Sequence, residues 1–180
     1  MTAAADVLQA RLPRGAAVLE IGCGSQPARF VTIGLDCDHA AVRSAATRIP
    51  CVTGDAGSLP FSDRCFDAIL ARGVLHHLAD PAIVLAEARR VLRSGGRLIV
   101  LDAAPMPAVE FADMNRQLRT AGVAPEPLNG IAPDRLNQLA QSAGCAVVEK
   151  AGAGRWTHAT PPYTDHEFTS PAWIHTLTWT

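Results

Sequence analysis

The feature that most restricts the fold of this chain is a series of short apolar runs separated by helical patterns. Residues 16–21 (AAVLEI), 31–35 (VTIGL), 51–54 (CVTG), 66–71 (FDAILA) and 97–103 (RLIVLDA) lack the polar alternation of half-exposed strands. Runs of this kind read as strands covered on both faces, which means parallel strands. Between them, residues 39–48 follow Asp38 as a plausible N-cap, and residues 81–93 follow Asp80 with Pro81 at the first helical position. In the second helix Ile83, Leu85, Ala86, Ala88, Val91 and Leu92 recur at a period near 3.6, and Ser94-Gly95-Gly96 stops it. Strand and helix alternating at this pitch predict a doubly wound α/β domain.

The pattern loosens after Pro105. Residues 108–120 read as a helix, 123–132 as a Pro/Gly/Asn loop, 133–143 as a helix ended by Gly144, and 145–150 as a sixth strand. A seventh strand is expected at 172–180 (AWIHTLTWT), after a loop at 151–171 rich in Gly, Pro, Thr, His and aromatics. The organisation is thus one domain: an N-terminal helix within 1–15 (residues 3–11), a half at 16–104, an insertion at 105–132, and a helix with a strand pair at 133–180.

At 180 residues a single domain is the expectation, and 48% hydrophobic residues suffice for a core. Sixteen basic against seventeen acidic residues leave a net charge of -1, so neither nucleic acid nor an anionic membrane is an expected partner. Absent a signal-like start or an apolar run of about 20 residues, the expected location is cytoplasmic. Five cysteines, an odd number, fit reduced thiols there. Cys23, Cys37, Cys51 and Cys65 fall 14 residues apart, but their flanks do not repeat and no zinc site is expected.

VLEIGCGSQP at Val18–Pro27 places a Gly-x-Gly turn after a buried strand, where bare backbone lets a ligand approach the carboxyl edge of a parallel sheet. Asp36 then ends the next strand, where a carboxylate can accept hydrogen bonds from a ribose diol. A dinucleotide fingerprint does not fit, because the third glycine position is Pro27 and Asp36 stands only fourteen residues after Gly22, against about 20. No Gly-Lys-Ser/Thr supplies a phosphate loop either.

The motifs E-I-G-C-G, G-L-D, G-D-A-x-x-L-P-F-x-D-x-x-F-D, V-L-H-H-L and L-R-x-G-G-R-L occur in order between Val18 and Asp102. This half of the chain resembles class I S-adenosylmethionine-dependent methyltransferases of the ubiquinone/menaquinone-biosynthesis type. The resemblance implies a Rossmann-like, seven-stranded, mostly parallel sheet with its last strand antiparallel, and S-adenosylmethionine as cofactor. By it, Glu20, Gly22, Cys23 and Gly24 form the loop around the methionine and ribose parts. Asp36 binds the ribose hydroxyls, Asp55 the adenine amino group with Ala56 beside it, and Arg72 and Gly73 line the methionine end. Asp38 and Asp63 read instead as a cap or solvated turn residues.

One departure stands out. Only Ser25–Phe30, six residues, separate Gly24 from Val31, where the family carries a helix. Six residues span about 20 Å extended but only about 9 Å as a helix, too little to run back along a strand. The first helix is therefore absent, and the sheet face beside the first two strands needs another cover: the N-terminal helix, the late loop or a second subunit. A homodimer is the expectation drawn from this, and a non-catalytic binding or scaffolding subunit is the alternative to an enzyme.

Methyl transfer from a sulfonium needs alignment of the acceptor and, for some acceptors, removal of a proton. His76 and His77, just past the fourth strand, are the candidate general bases for a small-molecule O, N or C acceptor. Of nine aromatics, Trp156, Tyr163, Phe168, Trp173 and Trp179 lie in the last 25 residues, as candidates for an acceptor pocket or an interface. His158, His166 and His175, spaced by eight and nine, match no common metal pattern, and no metal is expected.

Overall fold

The computed structural model of the chain describes residues 8–12, 14–122, 124–126, 128–158 and 168–179, and the side chains of all of these but 153–158 and 168–171. Strands β1 (Val18–Ile21), β2 (Ile33–Asp36), β3 (Cys51–Thr53), β4 (Phe66–Arg72), β5 (Leu92–Ala103), β6 (Ala146–His158) and β7 (Phe168–Thr178) form one sheet in the order β3-β2-β1-β4-β5-β7-β6. The first five pair in parallel, and β7 runs antiparallel to β5 and β6. This is the α/β class, strand number and strand sense that the sequence implies.

Helices α1 (His39–Ala45), α2 (Pro81–Val91), α3 (Ala108–Thr120) and α4 (Pro133–Ser142) connect the strands. Asp38 and Asp80 cap α1 and α2 by accepting from the backbone N–H of Ala40 (2.8 Å) and Ala82 (2.9 Å), as their positions before an apolar-periodic stretch predict. Alternation in the strands sorts side chains to two faces. Leu19, Ile21, Leu35, Ile69, Leu98 and Val100 pack with Val84, Leu85 and Ala88 of α2 and Leu136 and Leu139 of α4. Val18, Ala68, Leu70, Ile99, Leu101 and Ile174 form the other face.

The largest departures from the sequence reading are at two places, the β6–β7 pair and the join of α2 to β5. The stretch 151–171, expected as a loop, extends β6 to His158 and opens β7 at Phe168, and only 159–167 lie outside the described residues. Antiparallel pairing with a neighbour already in the sheet overrides the Gly/Pro composition, with register shifts between Val147 and Glu149 and between Gly152 and Gly154 absorbing the mismatch. α2 ends at Val91 rather than residue 93, and β5 begins at once, with a register shift where Phe66 faces Leu92 and Ala68 faces Arg97.

Residues 22–32 join β1 to β2 through turns, without a helix. The face expected to lie bare there is covered from within the chain. Val31 (5% exposed) and Leu8 (2%) are buried in the second cluster, with Leu12, Ala28 and Phe30 packed against it. The link and the segment before β1 thus together supply apolar cover for this face.

The insertion is tied to the end of β5 by reciprocal amide contacts. Asn129 bonds both the N–H (3.0 Å) and C=O (2.8 Å) of Met106, and Ile131 N–H donates to Ala103 C=O (2.9 Å). The indole N–H of Trp173 on β7 donates to Ile131 C=O (2.9 Å), which makes Trp173 a core residue rather than a pocket wall.

Candidate active site

The order β3-β2-β1-β4-β5 reverses direction between β1 and β4, the crevice where open parallel sheets bind ligands. Gly22 and Gly24 turn the chain there at φ +63° and +56°. A Cβ on Gly22 would stand 2.4 Å from Val74 Cγ2, just past β4, so the turn rests on Val74 and tolerates no side chain. At Gly24 the same direction is open for 4 Å. Cys23 is buried between them; its thiol meets Cys51 around Gly34, and burial first, Cys51 second, push it up to about 12.

Asp36, half-buried at the end of β2, accepts from Gly24 N–H (2.7 Å) through Oδ2 and from Asp38 N–H (2.9 Å) through Oδ1. A carboxylate has four acceptor positions, so two remain for a ligand. Asp55 is exposed after β3, its Oδ1 accepting from Gly57 N–H (2.8 Å), with Ala56 buried beside it. Gly73 at the end of β4 is held on β5 by its N–H to Leu101 C=O (2.8 Å).

Glu20 and Arg72 are bonded to each other and to the link. Glu20 is fully buried, accepting from Arg72 Nε (2.9 Å) and from Ala28 N–H (2.7 Å). Burial raises its pKa against the opposing pull of Arg72. Arg72 also donates through Nη2 to Gln26 C=O (2.8 Å). The pair therefore ties the helix-less link, at Gln26 and Ala28, to the ends of β1 and β4. Sequence reading missed this because a link without periodicity carries no sign of which side chain holds it.

Past Gly73 a single 3-10 turn, Leu75–His77, brings both histidines to the same edge with ring centroids 3.9 Å apart. His76 is buried and its Nδ1 donates to Asp102 Oδ1. Asp102, fully buried at the end of β5, also accepts from Leu75 N–H (2.9 Å) and Ala103 N–H (2.8 Å). The His77 side chain is 41% exposed, with Nδ1 3.6 Å from Glu126 Oε2. Burial first, then His76, lowers the His77 pKa. Asp102 stood in the sequence as the last acid of a buried run; Glu126 lies in an aperiodic loop and had no signal. Of the late aromatics and histidines, Tyr163 and His166 lie outside the described residues, as do the side chains of Trp156, His158 and Phe168. His175 is a buried residue of β7, packed on Trp173.

Residues 19–100 match the family model described as a methyltransferase domain. That stretch of the chain thus carries the likeness to a methyltransferase domain. Over 62 residues it is 48% identical to the ubiquinone/menaquinone biosynthesis C-methyltransferase of Paracoccus denitrificans, covering 34% of this chain and 25% of that protein. Over 132 residues it is 34% identical to the 27-O-demethylrifamycin SV methyltransferase of Amycolatopsis mediterranei, covering 62% and 48%. The chain thus spans a quarter to a half of the length of these curated relatives. Among solved structures, an S-adenosylmethionine-dependent methyltransferase of Thermotoga maritima superposes with a TM-score of 0.73 at 22% identity, over 98% of this chain and 87% of that one, a likeness of fold.

S-adenosylmethionine is the cofactor that the match to a methyltransferase domain implies. The residues present fit it: an open Gly24 backbone, a half-buried acid at the end of β2 with acceptor capacity to spare, and a second acid after β3. No helix among the described residues is long and apolar enough to cross a membrane.

Proposed function

We propose that this methyltransferase-domain chain transfers a methyl group from S-adenosylmethionine to a small-molecule acceptor at the β1/β4 crevice. The observation that carries the reading is Asp36: its carboxylate is fixed by Gly24 and Asp38, two backbone donors that position it without saturating it. Asp36 accepts the ribose hydroxyls, Asp55 with Ala56 meets the adenine, and Gly22, Cys23, Gly24 and Gly73 shape the wall at the methionine end. Glu20 and Arg72 act on this site through the link they hold rather than by touching the cofactor. When bound, the sulfonium supplies an activated methyl group, so the chain's own task is alignment and exclusion of water.

His76 and His77 face the acceptor side, His77 being the more open of the two. The test is calorimetric titration of the chain with S-adenosylmethionine. Saturable one-to-one binding is expected. A chain that folds and does not bind would make the scaffolding alternative the better reading.

A further inference from the structure

We propose that His76, His77 and Glu126 form a binding site for a divalent transition-metal cation beside the cofactor crevice. One donor atom from each lies within 4.8 Å of those of the other two. Bonds of about 2.1 Å to nitrogen and oxygen place neighbouring ligands roughly 3–3.5 Å apart around one ion. The His77 Nδ1 to Glu126 Oε2 separation of 3.6 Å is already close to that. The remaining closure falls to a half-exposed imidazole and a four-atom carboxylate arm, both adjustable by small torsional changes.

Two supports outside the triad hold the ligands. His76 gives its Nδ1 hydrogen to Asp102, which leaves Nε2 as its donor to a metal. A carboxylate behind a ligating histidine fixes the tautomer and raises the basicity of the ring. Asp102 is itself held by the N–H groups of Leu75 and Ala103, so it has one position. On the other side, buried Asn115 of α3 clamps the backbone of Glu126, accepting from its N–H (2.7 Å) and donating to its C=O (3.1 Å). An otherwise aperiodic loop residue is thereby fixed opposite the histidines.

Two imidazoles and one carboxylate select zinc, iron, cobalt or nickel over magnesium or calcium, which prefer all-oxygen shells. Three protein ligands leave coordination positions open, the pattern of a working site rather than a structural one. The turn that carries the histidines follows Val74, which packs on Gly22, so the site lies beside the cofactor loop. The use of the site rests on the methyl-transfer reading: the cation would hold an acceptor hydroxyl and lower its pKa. The hydroxyl proton then passes to water, the oxygen–carbon bond forms as the carbon–sulfur bond breaks, and the electron pair stays on sulfur. With both rings as ligands neither acts as a base, so this replaces the expectation of direct proton transfer by His76 or His77.

The experiment is titration of the chelator-treated full chain with Zn²⁺ by calorimetry and with Co²⁺ by absorption. One equivalent is expected, with a nitrogen/oxygen-type visible spectrum and no thiolate charge-transfer band. Glu126→Gln and His77→Gln, both at partly exposed positions, should each weaken binding at least about 10-fold, and Asp102→Asn roughly 10-fold. The metal-free Glu126→Gln and His77→Gln proteins should melt like wild type. Absence of saturable binding, a thiolate band, or wild-type affinity in both exposed-ligand variants overturns the proposal. S-adenosylmethionine titrated into metal-free protein is a separate arm, so failure of the methyl-transfer reading is seen apart from failure of the metal site.

Discussion

Asp36 joins the loop to the ligand, and its substitution therefore acts twice. Asp36→Ala removes two backbone hydrogen bonds and the charged acceptor for the ribose. S-adenosylmethionine affinity is expected to fall by about 2 kcal/mol, roughly 30-fold, in calorimetry. Asp55→Ala should cost less, because the adenine also meets apolar surface and the backbone at Ala56; an equal loss would reverse that ranking. A second residue sets a pH dependence. His175 is buried against Trp173, and burial, aided by Lys150 and opposed by Asp134, lowers its pKa from 6.5. The folded chain binds this proton less well than the unfolded chain does, so stability is full above about pH 6.5 and falls as pH drops below it. Melting temperatures between pH 7.5 and 5.5, expressed as about one pH unit on either side of that pKa, should show the decline in wild type and a flatter curve in His175→Gln.

Among the elements, the link from Gly22 to Thr32 takes over the role of a helix with very few interactions. Thr32 contributes from one end, its hydroxyl donating to Val18 C=O (2.8 Å) and accepting from Val18 N–H (2.9 Å). Glu20 and Arg72 contribute from the other. Arg72→Met leaves the buried Glu20 carboxylate uncompensated and is expected to destabilise the fold by about 3 kcal/mol in urea unfolding at neutral pH. Adding Glu20→Gln should recover much of that loss, since the unpaired charge is then gone. The single variant should also regain stability on acidification: Glu20, with its folded pKa raised, takes up a proton in the fold before the unfolded chain does. If single and double variants unfold alike at every pH, the pair does not hold the link.

For the whole molecule, the two apolar faces of the sheet must both be hidden, and the second is hidden by few residues. Leu8 lies over Val18 and Leu70 territory at 2% exposure, and its burial is worth about 2 kcal/mol. Leu8→Asp is expected to open that strip and drive association, read as a rise in mass with concentration by light scattering. An unchanged monodisperse mass with an unchanged melt would show that the link residues Ala28, Phe30 and Val31 suffice alone.

Short apolar runs, caps and glycine turns act through neighbours close in sequence, and so Val18–Asp102 by itself determined the parallel sheet, the α1 and α2 starts at Asp38 and Asp80, the absent first helix and the likeness to a methyltransferase domain. Strand bounds at β6 and β7 were decided by pairing across the sheet, which composition does not encode. The same holds for the active edge. Gly22, Asp36 and Asp55 each end or follow a strand and could be placed from it, whereas the partnerships of Glu20 with Arg72, His76 with Asp102 and His77 with Glu126 span 52, 26 and 49 residues. Pairs so distant in sequence meet because parallel strands align their carboxyl ends on one edge and, for Glu126, because Asn115 of α3 holds its loop there, and only the folded chain fixes which side chains then face one another.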